Sequence, residues 1–558
     1  MRFEPVTSRA RRGALPRALA GLALTLPPGL LAAGCGGGGG GSGGAIAPVI
    51  TASAAAHLLT QATFGPTPEE LERVQLLGEA AWVDEQLALP ATSHLEHLDA
   101  YGQGQDPASG LRVDTWWHMA MRAPDQLRQR VAFALSQLFV VSEVEITGAQ
   151  ATRGLANYYD VLARGAFGPY RRLLEDVTLS PVMGVYLSHV KNERADAARN
   201  VRPDENYARE VMQLFSIGLV ELGFDGVPRR DGAGQTIPTY DQATVEGFAQ
   251  VFTGWTYAGA RSWNNAPRNL LEPMISFQQW HDTSEKRLLG GRVLPAGRTA
   301  EQDLADALDV LAQHPNTGPF VCRHLIQRLV TSNPGPDYMR RVVQAWEDDG
   351  RGQRGNLGAV VRAILLDPEA RRAPDLQPAE WGKVREPLLR VSALWRAFGA
   401  QPVVGRYGYQ NPERELAQAP LRAPSVFNFF RPNHRPPGEL SDLGLDAPET
   451  QLATETTTTA TTNRFYTLVH ERWDGVPRSL GPDEVILSLA PLRPLAGDPE
   501  ALVDRVGLLL LGGRRTPPDM RQTVLDLVRA TPLTDDGTQR ALEAIWIVVT
   551  SPEFAVQR

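Results

Sequence analysis

One stretch of the chain carries polar groups at helical spacing that could do chemistry: RPDENYAREVMQLFSIGL, from Arg202 to Leu219. On a helix it forms an apolar stripe made of Tyr207, Val211, Leu214 and Phe215. The neighbouring face, ended by a C-cap at Gly218, presents Asn206, Arg209, Glu210 and Gln213. This face is either a solvated surface on which Glu205 pairs with Arg209, or the wall of a cleft.

Four other segments add ionisable groups and favour a cleft. The first is TYDQATVEGFAQVFTGWTY, which has Asp241 near a helix start and Trp255 after a glycine, and the second is the loop of His281, Asp282 and Lys286. The third is HPNTGPFVCRHL, with His314, Arg323 and His324. The fourth is a proline-bounded aromatic loop with Asn428, Arg431, Asn433 and His434. That last loop is so apolar that we expect it to pack down onto the body.

The first hypothesis is an envelope enzyme that acts on an envelope or extracellular substrate. Its predicted catalytic residues are Glu205, Arg209, Glu210 and Asp241, which would converge on a polar cleft with His281 and Asp282. A carboxylate whose pKa is raised by burial could act there as acid or base.

The enzyme hypothesis also includes a divalent metal and a set of residues that contact the substrate. The predicted metal ligands are His281, Asp282, His314 and His434, a mixed nitrogen and oxygen set. The predicted substrate-binding residues are Asn206, Trp255, Arg323, Asn428 and Arg431. Arg209 and Arg431 would hold an anionic group through their planar guanidinium groups.

The alternative hypothesis is a non-catalytic scaffold or binding protein. The polar helix would then be a packing network, in which Arg209 pairs with Glu205 and with Asp241. Ionisable groups from distant motifs converge on one pocket in an enzyme and pair with near neighbours in a scaffold.

Familiar catalytic signatures are missing from the sequence. There is no nucleophile elbow, paired-histidine zinc motif, phosphate-binding glycine loop, CxxC pair or haem-attachment motif. The formal net charge is −7, and removal of residues 1–34, which carry +4, leaves −11. An acidic body argues against a nucleic-acid partner.

The N-terminus resembles an export signal, with a basic start and a short apolar run. We expect residues 1–34 to be a signal peptide and Leu31–Cys35 to be a lipobox, so that Cys35 is lipidated. Gly36–Gly44 would then be a flexible tether. These features predict a lipoprotein in the cell envelope, at the outer membrane facing the periplasm. The alternative is ordinary signal-peptidase cleavage near Ala33 or Gly34.

The remaining chain predicts a mainly α fold. The domain boundaries are 1–34 for the signal peptide, 35–50 for the lipidated cysteine and tether, and 51–558 for one large helical body. Amphipathic segments separated by Pro, Gly and Asn-Pro turns recur throughout, beginning with Thr67 as an N-cap followed by Pro68. Alternation typical of strands is confined to a small β element near residues 274–294.

Several segments together resemble the bacterial domain-of-unknown-function 1800 family. They are HLLTQATFGPTPEELERVQ, PDENYAREVMQLFSIGL, ATVEGFAQVFTGW, WHDTSEKRLLG, HPNTGPFVCRHLIQRLVTSNP, FNFFRPNH and SPEFAVQR. The resemblance runs from His57 to the C-terminus. It implies a large, exported, mostly helical protein, often encoded beside a protein of the domain-of-unknown-function 1501 family, which resembles sulfatases, and it brings no established activity. Val211 and Gln61 depart from the usual pattern.

Overall fold

The computed structural model describes residues 50–102, 107–533 and 536–558. The predicted signal peptide, Cys35 and the predicted tether up to residue 49 lie outside the described residues. All described residues fall in one compact unit.

The first group of helices packs around α6 and α7. It consists of α1 (Ala52–Ala62), α2 (Pro68–Leu77), α3 (Glu79–Ala88), α4 (His94–Gly102), α5 (Ser109–Arg122), α6 (Gln126–Ser136), α7 (Ala151–Gly165), α8 (Tyr170–Thr178) and α9 (Pro181–Tyr186). The predicted cap of α2 is confirmed, because the Thr67 side chain accepts a hydrogen bond from the Glu70 backbone at 3.2 Å.

The second group is centred on α13, which packs against α6, α14 and a π-helix. Its members are α10 (Asn206–Glu210), the π-helix (Val211–Ser216), α11 (Gln242–Val251), α12 (Ala300–Gln313), α13 (Thr317–Leu329), α14 (Pro336–Glu347) and α15 (Leu357–Leu366). Leu325 and Ile326 of α13 are fully buried, and each such side chain contributes about 1.5–3 kcal/mol.

The third group contains α16 (Pro387–Ala397), α17 (Glu413–Leu416), α18 (Glu439–Asp442), α19 (Glu455–His470), α20 (Pro499–Leu510), α21 (Pro518–Ala530), α22 (Thr538–Val549) and α23 (Pro552–Ala555). The threonine-rich start of α19 is a capping box, in which the side chains of Thr454 and Thr457 each accept from the other's backbone N–H. Among the described helices, none combines the length and apolarity needed to cross a membrane.

The described strands form four antiparallel pairs of two residues each. They are β1 (Trp255–Thr256) with β2 (Ile275–Ser276), β3 (Lys286–Arg287) with β4 (Val293–Leu294), β5 (Lys383–Val384) with β8 (Val556–Gln557), and β6 (Gln401–Pro402) with β7 (Val485–Ile486). The mainly α fold is confirmed, and three of these strands lie within the predicted element at 274–294.

The segment Arg202–Leu219 differs from the single helix that its periodicity predicts. Only Asn206–Glu210 is α-helical, and Val211–Ser216 continues as a π-helix. The Ser216 hydroxyl donates to the Val211 carbonyl five residues earlier, at 2.5 Å, which fits the wider turn. Short π-helical turns occur frequently at functional sites.

Candidate functional site

A cleft of about 670 Å³ lies between α13, the π-helix with its following loop, and the loop that carries Asn428. It is lined by four arginines, Arg323, Arg328, Arg431 and Arg435, and we call it the arginine cleft. Three of the five predicted substrate-binding residues, Arg323, Asn428 and Arg431, line it. The structure thus brings together segments that are about a hundred residues apart in the chain.

Helix α13 supplies one wall. Arg323, His324, Gln327 and Arg328 all line the cleft, which follows from the spacing of three to four residues per turn. The predicted sites include Arg323 but omit Gln327 and Arg328. The helical repeat from Arg323 was the signal that could have identified them.

The π-helix supplies the facing wall through Gln213 and Leu214. Its chain leaves through Gly218, which has a φ of +68° and whose N–H bonds the Met212 carbonyl at 3.0 Å. A Cβ at Gly218 would lie 2.8 Å from the Phe320 ring, which also lines the cleft. Gly218 is therefore required for both its backbone conformation and the close approach of Phe320.

The aromatic loop packs down as its sequence predicts, since Phe430 is 2% exposed. Asn428 takes a left-handed conformation with φ of +64°, and its side chain donates to Gln137 Oε1 at 3.2 Å. Gln327 Nε2 of α13 donates to the Pro432 carbonyl at 3.1 Å. These bonds fix the loop against α13 and α6.

The mouth of the cleft is positively charged. Arg323 and Arg435 both pair with Asp446, at 2.8 Å and 2.7 Å. Arg431 has no ion pair within the described part of the chain, and its guanidinium lies 5.6 Å from the centre of the Phe427 ring. Asp446 is the one carboxylate among the described lining residues, so the arginines are only partly neutralised.

His324 adds a neutral polar group. Its Nδ1 donates to the Phe320 carbonyl at 2.8 Å, because a carbonyl oxygen can only accept. Burial lowers the pKa of His324 to about 4, against the raising effect of that bond. The ring is therefore neutral at pH 7, and its Nε2 is the unprotonated nitrogen.

Most of the predicted catalytic residues pair with near neighbours outside this cleft. Glu205 Oε2 accepts from Arg209 and from Gln242, each at 3.0 Å, as the scaffold alternative expects. Asp241 caps α11 through the Thr244 N–H at 2.9 Å. Its other oxygen meets Arg287 at 3.3 Å, where the alternative expected Arg209.

Glu210 is different from the other predicted catalytic residues. It is 8% exposed, and its buried Oε2 has no hydrogen-bond partner among the described residues. Burial raises the pKa of the Glu210 carboxyl, and Arg209 lowers it by a smaller amount. Glu210 is not among the residues lining the arginine cleft.

The two remaining predicted substrate contacts lie elsewhere. Asn206 is exposed at the start of α10, where its N–H bonds the Asp204 side chain at 2.8 Å. Trp255 is 5% exposed in β1 and lines a separate pocket beside Met274. Neither side chain lines the arginine cleft.

His281 belongs to a fully buried ionic cluster. Its Nδ1 lies 3.0 Å from the Thr253 carbonyl and its Nε2 3.1 Å from Asp303 Oδ2. Both ring nitrogens are thus engaged within the fold. The adjacent Asp282 carboxylate accepts from the backbone and hydroxyl of Ser284, which closes a turn.

The four predicted metal ligands do not form one group. The His314 ring accepts from the Asn316 N–H at 3.1 Å. The His434 backbone bonds Arg431 and Ala447. Over the described ranges, no group of three or more His, Cys, Asp or Glu side chains is arranged to hold a metal ion. Hydrogen bonds within the fold hold the rings of His281 and His314.

Comparison with known proteins identifies a family. The family described as "Protein of unknown function (DUF1800)" matches residues 57–556. No curated protein and no solved structure matches the chain. The match spans far more than half of the 558 residues, and this chain therefore belongs to the DUF1800 family.

Proposed function

We propose that this chain is an exported cell-envelope protein that binds an anionic ligand with an apolar part in the arginine cleft. The observation that carries the proposal is four arginines facing one carboxylate beside phenylalanine rings. Guanidinium groups bind carboxylates and phosphates through paired hydrogen bonds, and aromatic walls remove apolar surface from water. The volume, about 670 Å³, falls within the range of about 300–1,000 Å³ that is usual for small-molecule sites.

Binding without catalysis is the better supported of the two hypotheses. Glu205, Arg209, Asp241 and His281 are engaged by near neighbours, as expected of packing networks. The second candidate is an envelope enzyme that uses Glu210. The single observation favouring it is the buried, unpartnered Glu210 Oε2, since a carboxyl with a raised pKa suits acid or base chemistry.

The proposed location is the outer membrane, through a lipid on Cys35 and the glycine tether that follows it. A protein of the domain-of-unknown-function 1501 family is the proposed partner. Labelling of cells with palmitate tests the anchor: the native chain should take up label and sediment with outer membranes, and Cys35→Ala should do neither. Equal labelling of both proteins would contradict the anchor. Recovery of that partner by cross-linking in the envelope tests the partnership.

Anion binding is tested with two fluorescent probes of nearly the same shape. One is 1-anilinonaphthalene-8-sulfonate, and the other is its uncharged analogue N-phenyl-1-naphthylamine. We expect the sulfonate to bind at least about tenfold more tightly, because a hydrogen bond to a charged group contributes about 1.5–3 kcal/mol. Arg431→Gln should remove most of that preference. Arg172→Gln, an exposed arginine in α8, is the matched control and should retain it. Equal affinity for both probes would refute the proposal.

A further inference from the structure

The inner end of the arginine cleft meets a buried charge network, which we define as Arg130, Arg328, Lys383, Glu386 and Glu449. All five side chains are 4% exposed or less. Three of them are cations and two are carboxylates. The network therefore carries one more positive than negative charge on side chains that are almost wholly buried.

The contacts inside the network leave its cations under-neutralised. Lys383 Nζ lies 3.0 Å from Glu449 Oε1 and 3.9 Å from Glu386 Oε1. Arg328 Nη1 reaches Glu449 Oε1 only at 3.8 Å. Arg130 has no ion pair among the described residues, and its Nη2 donates to the Arg328 carbonyl at 2.6 Å.

Several buried N–H groups of the network also lack hydrogen-bond partners. Within the described residues these are Nη1 of Arg328 and both Nε and Nη1 of Arg130. Burial lowers the pKa of Lys383, and the neighbouring Arg130 and Arg328 lower it further against the raising effect of the two glutamates. Glu386 Oε1 and both Glu449 carboxylate oxygens also lack hydrogen-bond partners within the described residues, so it is the excess positive charge of the network, and not the unpaired donors alone, that favours an anion here.

Arg328 is the member of the network that also lines the cleft, so a ligand can reach it. A chain of amides joins the same wall to the network, because Asn428 donates to Gln137 Oε1 and Gln137 Nε2 donates to Glu386 Oε2 at 2.8 Å. The Arg328 guanidinium is held over the Phe430 ring at 4.6 Å. The anion-binding group is thus fixed before any ligand arrives.

Exposed apolar side chains also lie at the outer part of the cleft, beside its arginines. Leu219 and Phe427, both lining residues, are 55% and 42% exposed, and Val227 beside the lining Gly226 is 53% exposed. Exposed apolar side chains grouped around a charged cleft mark a surface that a ligand covers. The rim therefore presents apolar side chains beside Arg323, Arg431 and Arg435, and the buried inner end presents Arg328.

Building on the proposed function, we propose that the ligand is a monoanionic amphiphile whose carboxylate binds Arg328 and whose apolar body lies against Leu219, Phe320 and Phe427. A long-chain fatty acid is the simplest member of this class. One carboxylate supplies the single negative charge that the network lacks. Its planar pair of oxygens also matches the guanidinium fork.

Calorimetric titration of the purified protein with four defined compounds tests this inference. They are dodecanoate, 1-dodecanol, acetate and dodecyl phosphate, each below its aggregation concentration. Dodecanoate should bind at least tenfold more tightly than dodecanol, acetate should not bind at millimolar concentration, and dodecyl phosphate, which carries more charge, should bind more weakly than dodecanoate. Tight binding of acetate, or dodecyl phosphate binding as tightly as dodecanoate, would overturn the inference.

Variants locate the anion. Arg328→Met should make dodecanoate and dodecanol bind equally. Glu449→Gln leaves the network with a larger positive excess, so it should tighten dodecanoate binding severalfold and leave the affinity for dodecanol unchanged. This variant tests the inference even where Arg328→Met does not fold. If Glu449→Gln leaves dodecanoate affinity unchanged, the inference fails.

The two proposals fail in different ways. If the naphthalene sulfonate binds in the cleft but dodecanoate and dodecanol are equal, the amphiphile inference fails and the proposed anion site stands. If neither the sulfonate nor dodecanoate binds, both fail.

Discussion

The side-chain amide of Gln557 donates to the backbone carbonyl of Leu329 at 2.8 Å. The same amide bonds the Val330 carbonyl at 3.0 Å, so strand β8 caps the end of α13 directly after Arg328. Strand β8 also pairs with β5, in which Lys383 Nζ donates to the Arg328 carbonyl at 3.0 Å. The segment SPEFAVQR therefore positions the inner end of the arginine cleft although it does not line it.

Replacing Gln557 should weaken both the fold and the cleft. Gln557→Leu removes two hydrogen bonds and leaves buried carbonyls unpaired, which should lower the free energy of unfolding by about 1–3 kcal/mol. Urea denaturation measures this loss, and the naphthalene sulfonate titration should show weaker binding. Gln539→Ala, at an exposed position of α22, should change neither quantity. A Gln557 variant with native stability would show that this cap is dispensable.

Gly218 should tolerate no side chain. Gly218→Ala places a Cβ 2.8 Å from the Phe320 ring at a φ of +68°, so we expect a loss of more than about 1 kcal/mol in the free energy of unfolding. Gly259→Ala is the matched control, because Gly259 has a similar φ of +79° and open space around its Cβ position. The difference between the two variants in thermal denaturation isolates the clash with Phe320. Equal losses would mean that Phe320 moves freely.

Local sequence patterns predict the mainly α fold and part of the cleft, but not the π-helix at Val211–Ser216. Helical spacing and caps such as Thr67 are local signals, and the aromatic loop and α13 were identified because their polar residues stand out against apolar neighbours. The two-residue strands β5 to β8 pair residues far apart in the chain, which no local period reveals. Gln137 and Asp446 reach the cleft only through tertiary packing. The grouping of His281 with His314 and His434 relied on composition alone, which does not encode distance.

Asp303 should be essential for the stability of the buried cluster around His281. Its carboxylate meets Lys286 Nζ at 2.7 Å and Arg298 Nε at 2.6 Å. Asp303→Asn leaves the buried Lys286 ammonium without its carboxylate, so it should lower the free energy of unfolding by about 3–5 kcal/mol. Asp306→Asn, in which a partly exposed partner of Arg298 is changed, is the control and should cost under about 1 kcal/mol. Chemical denaturation measures both variants. Similar losses in the free energy of unfolding would contradict the larger role given to Asp303.

The Asp303 carboxylate should also make the free energy of unfolding depend on pH in the acid range. Burial alone would raise the pKa of Asp303, but hydrogen bonds from His281, Lys286 and Arg298 outweigh it and lower the pKa below 3.8. Its contribution to stability is therefore complete above pH 3.8 and is lost as the pH falls through the folded-state pKa. The wild type should lose this stability on acidification, and Asp303→Asn should show a flatter profile in that range.

Glu210 should destabilise the fold at neutral pH. Burial raises the pKa of its carboxyl above 4.5, so the charged form is disfavoured in the folded state. The cost begins as the pH rises past 4.5 and is complete above the folded-state pKa. Glu210→Gln should therefore be more stable than the wild type at pH 8, and the two proteins should converge near pH 4. Melting temperatures between pH 4 and 8 measure this. Glu205→Gln, which weakens the exposed contacts with Arg209 and Gln242, should lower stability slightly. If Glu210→Gln melts below the wild type at pH 8, the carboxylate has a stabilising partner, and the unpaired buried acid on which the enzymatic alternative depends does not exist.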